Sequence, residues 1–126
     1  MSHIEVVRMR PKFTDERGEI YDLVEETVGH TGLITCKKGS IRGNHYHHQS
    51  KQFTYIVEGK TELRTKDPND GSVESVILNK GDMAIIPAGL LHGFHAIEDT
   101  VCLDCNTLSR EGTGYESDTV RVPSLF

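Results

Sequence analysis

The chain has 126 residues, of which 36% are hydrophobic, and this is enough for one domain with its own core. Its net charge of −5 comes from interspersed acidic and basic residues, whereas a nucleic-acid-binding surface typically shows a basic stripe. No segment approaches the roughly 20 apolar residues of a membrane span, and no apolar signal-type stretch follows the N-terminus. We therefore expect a cytoplasmic protein that binds neither nucleic acid nor membrane.

Runs of β-branched and aromatic residues alternate with turn signals, and helical periodicity is nearly absent. In chain order, the predicted strands are 4–9, 19–24, 33–37, 44–47, 52–57, 61–65, 72–78, 83–86, 91–96 and 100–107. The strongest turn is DPNDG at 67–71, where proline fixes φ and glycine accepts a positive φ. About ten short strands at this spacing predict an all-β sandwich, jelly roll or barrel.

No linker or repeat divides the sequence, which predicts a single domain over residues 1–126. We expect its core at about 13–108, followed by a polar, turn-rich surface extension at 109–126 that ends in a short apolar anchor. The predicted strand 52–57 carries apolar side chains on both faces, so both faces should be covered. A second subunit often supplies the outer cover of a small sandwich, and we therefore expect a homodimer.

The three cysteines, Cys36, Cys102 and Cys105, are expected to be reduced, because the count is odd and the chain is not small and secreted. Cys102 and Cys105 have CxxC spacing. A redox CxxC usually opens a helix, whereas this one lies in the β-like run TVCLDCNTL. The context therefore predicts two thiols in a strand.

His45 and His47 are two residues apart on a predicted strand, so both side chains point to one face. At this spacing, two imidazoles can reach a common ion at about 2.0–2.1 Å. Gln52 has the parity to face the same interior, and His92 follows the turn at 87–89. His48 and His95 are out of phase with these residues and are expected in structural or surface roles.

Two spaced motifs contain these residues. The first consists of Gly39, His45, His47, Gln52 and Gly59; the second consists of Gly81, Pro87, Gly89, His92 and Ala96. Together they resemble the two motifs of the cupin superfamily, which implies a double-stranded β-helix of the jelly-roll type. The resemblance also implies one metal ion held by His45, His47, Gln52 and His92.

The chain departs from the cupin pattern at Gln52, where Glu is usual, and at Ala96, where Asn is usual. Imidazoles and an amide give a divalent ion (zinc, nickel, iron or manganese) no anionic ligand. This should lower its affinity and raise its Lewis acidity. A metal-free cupin, whose inward histidines act as acid–base groups, remains the alternative.

The stretches FTDERGEIYDLVE and IRGNHYHHQSKQF resemble the sugar-nucleotide cupins, which include dTDP-sugar 3,4-ketoisomerases and the C-terminal cupin domains of capsular-polysaccharide enzymes. The resemblance implies an epimerase or isomerase that moves a proton next to the keto group of a sugar nucleotide. His92 and Tyr55 are the candidate catalytic residues, although strand parity places Tyr55 off the histidine face. Arg42 is the candidate for a bidentate contact to phosphate.

Two other functional classes remain open from the sequence. A small metal cupin with open coordination sites can be a dioxygenase-type oxidoreductase, although a neutral ligand set disfavours ferric iron. The domain can also be a non-catalytic sugar-binding or sensor module, which would require a partner because these residues contain no DNA-binding helix.

Overall fold

The computed structural model describes residues 4–126, which form twelve strands and one short helix. In order, these are β1 Glu5–Arg8, β2 Phe13–Asp15, β3 Gly18–Ile20, β4 His30–Cys36, β5 Ile41–His47, β6 Gln52–Glu58, β7 Lys60–Lys66, β8 Val73–Asn79, β9 Asp82–Ile86, β10 Leu91–Ala96, β11 Thr100–Asn106, α1 Gly114–Asp118 and β12 Thr119–Arg121. In this part of the chain, no helix is long and apolar enough to cross a bilayer.

Ten of the strands form two antiparallel sheets. The first has the order β1-β9-β6-β11-β4 and the second β12-β5-β10-β7-β8, while β2 and β3 form a separate hairpin. Side chains from both sheets meet in a buried core that contains Ile56, Leu63, Leu78, Ala84 and Ile86. This is a jelly-roll sandwich, and it confirms the all-β fold predicted from the strand spacing.

The predicted strand 19–24 is wrong. The chain instead makes the short β2–β3 hairpin, and residues 21–29 belong to no strand. Leu23, Val24 and Val28 pack on a cluster built around Phe53 and Met83. The apolar run at this point therefore covers the outer face of β6 and does not pair with another strand.

This cover changes the argument for a second subunit. The outer face of β6 carries Phe53 and Tyr55, and both belong to the cluster that the segment 21–29 covers. The chain therefore buries most of this face by itself, although Val57 stays 37% exposed. The two-sided apolar pattern of β6 is therefore satisfied within one chain and does not require a second subunit.

The C-terminal segment is part of the sandwich and more than a surface extension. β12 pairs with β5 and places Thr119 opposite His47 and Arg121 opposite His45. At the other end of the chain, β1 pairs with β9 in the first sheet. The sandwich therefore extends beyond the predicted core of 13–108 at both ends.

A bulge in β5 sets the direction of the two paired histidines. Pairing with β10 joins His45 to His92 and Gly43 to Gly93, which leaves Asn44 as the extra residue. Asn44 has a φ of 55°, a left-handed conformation that asparagine tolerates better than most residues. After the bulge, His45 and His47 both point between the sheets.

The motif glycine at the end of β6 is fixed by close backbone packing. Gly59 has a φ of 95°, and a Cβ there would lie 2.3 Å from the carbonyl oxygen of Asp99. Only glycine satisfies both conditions. Because Gly59 has no side chain, the β6–β7 turn can pack directly against the backbone of the loop before β11.

Candidate functional site

A cavity of about 590 Å³ opens between the two sheets. β4, β5, β6, β10 and β11 supply most of its wall, and the segment after β11 completes it. Its polar side contains His45, His47, Gln52, Thr54 and Asp104. A volume of this size is typical of small-molecule sites, so the cavity is the candidate functional site.

Three histidines from two neighbouring strands converge beside this cavity: His45 and His47 line it, and His92 lies behind its wall. His45 and His47 come from β5 and His92 from β10; one nitrogen from each forms a group within 4.8 Å. The ring centres of His45 and His92 are 4.8 Å apart, and those of His47 and His92 are 5.5 Å apart. The structure thus brings together the histidines that the two motifs indicated.

Burial keeps these imidazoles neutral. It lowers the pKa of His92 to about 3 and that of His45 to about 4, and it also lowers the pKa of His47. A neutral imidazole has one lone pair free for a cation or a proton. At neutral pH, the cluster therefore presents lone pairs rather than positive charge.

The orientation of His92 leaves one nitrogen available. Its Nδ1 lies 2.9 Å from the carbonyl oxygen of Leu90, so Nδ1 carries the proton and Nε2 carries the lone pair. Nε2 of His92 and Nδ1 of His45 are buried and have no hydrogen-bond partner within residues 4–126. Buried polar atoms of this kind are normally satisfied, and a bound cation satisfies a lone pair.

Gln52 lies beside the cluster with its oxygen turned inward. Its Oε1 is 3.2 Å from Nε2 of His47. Two donor atoms that each bind one ion at about 2.1 Å lie roughly 3.0–3.4 Å apart in octahedral or tetrahedral geometry. His47 and Gln52 already have this spacing, and the three histidine nitrogens, which lie within 4.8 Å of one another, would converge on one divalent metal ion after small side-chain movements.

The other edge of the His47 ring faces the C-terminal segment. Its Nδ1 lies 3.3 Å from Oγ1 of Thr119 and 3.7 Å from a carboxylate oxygen of Asp118. Asp118 also accepts hydrogen bonds from the backbone N–H groups of Gln49 and Ser50. These contacts hold His47 in place, and sequence spacing gave no sign of them because about 70 residues separate the partners.

The structure does not bring Tyr55, a predicted catalytic residue, to the cavity. Tyr55 lies on the outer face of β6, where it packs near Phe53 and Met83. Tyr115 of α1 lines the cavity instead, with its ring centre 6.0 Å from that of His47. Tyr115 lies in the segment that the sequence analysis treated as a surface extension, so its proximity was missed.

The positions of His92, His48 and His95 distinguish their roles. His92 is 1% exposed and lies behind the cavity wall, so its position suits a ligand better than a group that touches substrate. His48 is exposed beside Tyr46, and His95 faces Phe126 on the outer side of the second sheet. Strand parity placed His48 and His95 correctly.

Three arginines line the cavity in a protein whose net charge is negative. Arg42, the predicted phosphate contact, donates a hydrogen bond to the carbonyl oxygen of Thr35 at 3.2 Å. Arg121 comes from β12, and the Arg110 guanidinium lies 4.1 Å from the ring centre of Tyr115. Arg110 and Arg121 were not predicted, because both belong to the C-terminal segment, which was expected to be a surface extension.

Comparison with known proteins assigns the family. The family described as "Cupin domain" matches residues 32–104, which is more than half of the chain and includes the histidine cluster. The protein belongs to the cupin family, as its two motifs indicated. Its curated relatives include a germin-like protein subfamily 3 member 2 of Arabidopsis thaliana, 26% identical over 89 residues, and the polyketide synthase CurC of Streptomyces cyaneus, 29% identical over 106 residues.

The matched regions cover 71% and 73% of this chain but 37% and 65% of those two relatives. Among solved structures, the 3′-monoepimerase ChmJ of Streptomyces bikiniensis, in complex with dTDP-quinovose, superposes with a TM-score of 0.81 at 16% identity. The superposition covers 98% of this chain and 71% of the ChmJ chain. A second structure is a mutant of the 3,4-ketoisomerase QdtA of Thermoanaerobacterium thermosaccharolyticum in complex with TDP-4-keto-6-deoxyglucose. It superposes with a TM-score of 0.77 at 17% identity, and the superposition covers 97% of this chain and 89% of the QdtA chain. At these identities the likeness establishes the fold.

Proposed function

We propose that this cupin is an epimerase or isomerase that moves a proton next to the keto group of a sugar nucleotide. The observation that carries the proposal is a buried cluster of neutral histidines beside a cavity lined by three arginines. The histidine side of the cavity suits an uncharged keto-sugar, and the arginines suit an anionic group. The structural neighbours that hold dTDP-quinovose and TDP-4-keto-6-deoxyglucose agree with this substrate class.

The arginines supply the part of the site that would bind the diphosphate. A guanidinium group matches two phosphate oxygens at once, and local positive charge concentrates an anion even on an acidic protein. Arg42 comes from β5, whereas Arg110 and Arg121 come from the C-terminal segment, yet all three border one cavity. Their convergence favours a ligand with more than one negative charge.

His45, His47, Gln52 and His92 would hold a divalent metal ion, which supplies Lewis-acid polarisation of a carbonyl when it is bound. Asp118 and Thr119 keep the His47 ring oriented for this role. Tyr115 lines the cavity beside His47. Its hydroxyl group is the candidate that accepts or donates the substrate proton next to the keto group. Tyr115 takes the place in the mechanism that the sequence analysis gave to Tyr55.

Exchange of the substrate proton with solvent tests the proposal directly. Incubation with TDP-4-keto-6-deoxyglucose in heavy water should place deuterium next to the keto group, and mass spectrometry would measure it. His47→Ala should abolish the exchange, and Tyr115→Phe should slow it by roughly 10²–10⁴-fold, the usual contribution of a general acid–base group. His48→Ala is the matched control, because His48 is an exposed neighbour that should leave exchange unchanged.

The outcomes also separate the alternatives. Exchange that survives chelation would favour the metal-free form of the mechanism, with His47 as the base. Oxygen consumption without any proton exchange would favour the dioxygenase class. Binding without exchange or oxygen consumption, seen as a thermal shift with sugar nucleotides, would favour a sugar-binding or sensor module.

A further inference from the structure

A buried carboxyl group, Asp104, lies on the polar side of the cavity and has no role in the function proposed above. It comes from β11, on the face that points between the sheets. Burial raises the pKa of Asp104, while hydrogen bonds from Thr54 and Asn106 act in the opposite direction. A buried carboxylate is costly unless it is hydrogen-bonded, so Asp104 depends on the groups that donate to it.

Asp104 is the end of a chain of buried hydrogen bonds that leads to the histidine cluster. Its Oδ1 accepts the hydroxyl proton of Thr54 at 2.8 Å, and its Oδ2 accepts from the amide of Asn106 at 3.0 Å. Thr54 Oγ1 in turn accepts from Nε2 of Gln52 at 3.0 Å. Oε1 of Gln52 then faces Nε2 of His47 at 3.2 Å.

The direction of this chain follows from the donors that each group has. Both oxygens of Asp104 accept hydrogen bonds, Oδ1 from Thr54 and Oδ2 from Asn106, which is the pattern of an ionised carboxylate. The single hydroxyl proton of Thr54 therefore points to Asp104. The Thr54 oxygen can then only accept from Gln52, which fixes the NH₂ group of the Gln52 amide on the Thr54 side. The amide oxygen is therefore the atom that faces the histidines.

We propose that Asp104 is a positioning residue that fixes the amide of Gln52 and polarises its oxygen towards the histidine cluster. Two hydrogen bonds thus carry the influence of a negative charge to a site whose contacting groups, three imidazoles and an amide, are all neutral. The inference rests on the proposed function only in taking the histidine cluster as the working site.

Substitutions that reverse the direction of the hydrogen bonds between Asp104, Thr54 and Gln52 test this positioning role. Asp104→Asn lets position 104 offer either a donor or an acceptor to Thr54, so the direction is no longer fixed. In Gln52→Glu, two carboxylates, at positions 52 and 104, compete for the single hydroxyl proton of Thr54. In the double variant, the new amide at position 104 can donate to Thr54, and Thr54 can donate to the new carboxylate at position 52.

The first measurement is thermal unfolding of the metal-free wild type, the two single variants and the double variant. We expect Gln52→Glu alone to lower the melting temperature and Asp104→Asn in that background to raise it again by about 4 °C or more. Strictly additive effects of the two substitutions would overturn the inference, because unlinked positions do not compensate each other.

The second measurement separates positioning from a merely structural role. Asp104→Asn should weaken Co²⁺ binding by about tenfold, as loss of a supporting hydrogen bond usually does. It should also shift the side-chain ¹⁵N signals of His47 in the metal-free protein. The matched control is Asp82→Asn, which removes a partly buried carboxylate at the β8–β9 turn and should change neither readout.

These readouts are independent of catalysis. If the wild type shows no deuterium exchange, the proposed function is contradicted. The melting temperatures of the four proteins and the ¹⁵N signals of His47 would still test the role of Asp104. A folded Asp104→Asn variant with wild-type Co²⁺ affinity and wild-type His47 signals would overturn the positioning role, even if the wild type exchanges deuterium. If the protein takes up no Co²⁺, the His47 signals decide between the two results.

Discussion

At the scale of single residues, the uncharged side chain of Gln52 determines how strongly the histidine cluster attracts a cation. His45, His47 and His92 are neutral because burial lowers their pKa values, so no contacting group offsets a double positive charge. A carboxylate at position 52 would add an anionic donor at the same place. Coulomb attraction inside a buried site makes such a change large.

We therefore expect Gln52→Glu to tighten divalent-metal binding by about tenfold or more, and His47→Ala to abolish it. Elemental analysis of protein purified without chelator, followed by titration calorimetry, would measure both effects. His48→Ala should retain wild-type metal content because His48 is exposed outside the cluster. Full metal occupancy in His47→Ala would show that the ion is held elsewhere.

At the scale of strands and loops, most of the sandwich was predictable because local signals define it. Alternating side chains and glycine turns located the strands from β4 to β11, and the two motifs placed His45, His47 and His92 on them. The pairing of β12 with β5 was not predictable, since it depends on contacts about 70 residues apart. The cavity residues Tyr115, Arg110 and Arg121 were missed for the same reason.

The bulge in β5 links this long-range pairing to the site. A Cβ at Gly93 would lie 2.5 Å from Oδ1 of Asn44, and that oxygen accepts the backbone N–H of Leu125. Because Asn44 is the bulged residue before His45, a displaced Asn44 side chain would disturb the strand that carries two of the three histidines.

We expect Gly93→Ala to lower the free energy of unfolding by about 1–3 kcal/mol through overpacking, and to weaken metal binding as well. Gly32→Ala is the matched control, because the nearest atom to its new Cβ belongs to the movable His30 side chain at 3.0 Å. Denaturant unfolding would measure both variants. Equal losses of stability at the two positions would contradict the special role of the Asn44 bulge.

At the scale of the whole molecule, the edge strands suggest how two copies would meet. Soluble sandwiches protect the edges of their sheets with charged side chains. Within residues 4–126, β1 has Glu5 and Arg8, β8 has Glu74 and β12 has Arg121, whereas β4 has no Lys, Arg, Asp or Glu. β4 is also seven residues long, and its Leu33 is 68% exposed.

An uncharged edge strand with an exposed leucine is a suitable surface for a second copy of the chain, so we expect a homodimer that covers β4. Leu33→Asp should convert the dimer to a monomer, because it places a charge on the only uncharged edge of the two large sheets in the described chain. Val73→Asp is the matched control, since Val73 is similarly exposed, at 58%, but lies on the charged edge strand β8. Light scattering at micromolar concentration would report the mass of each protein. A wild type that is monomeric under these conditions would rule out the dimer, and a dimer that survives Leu33→Asp would place the interface away from β4.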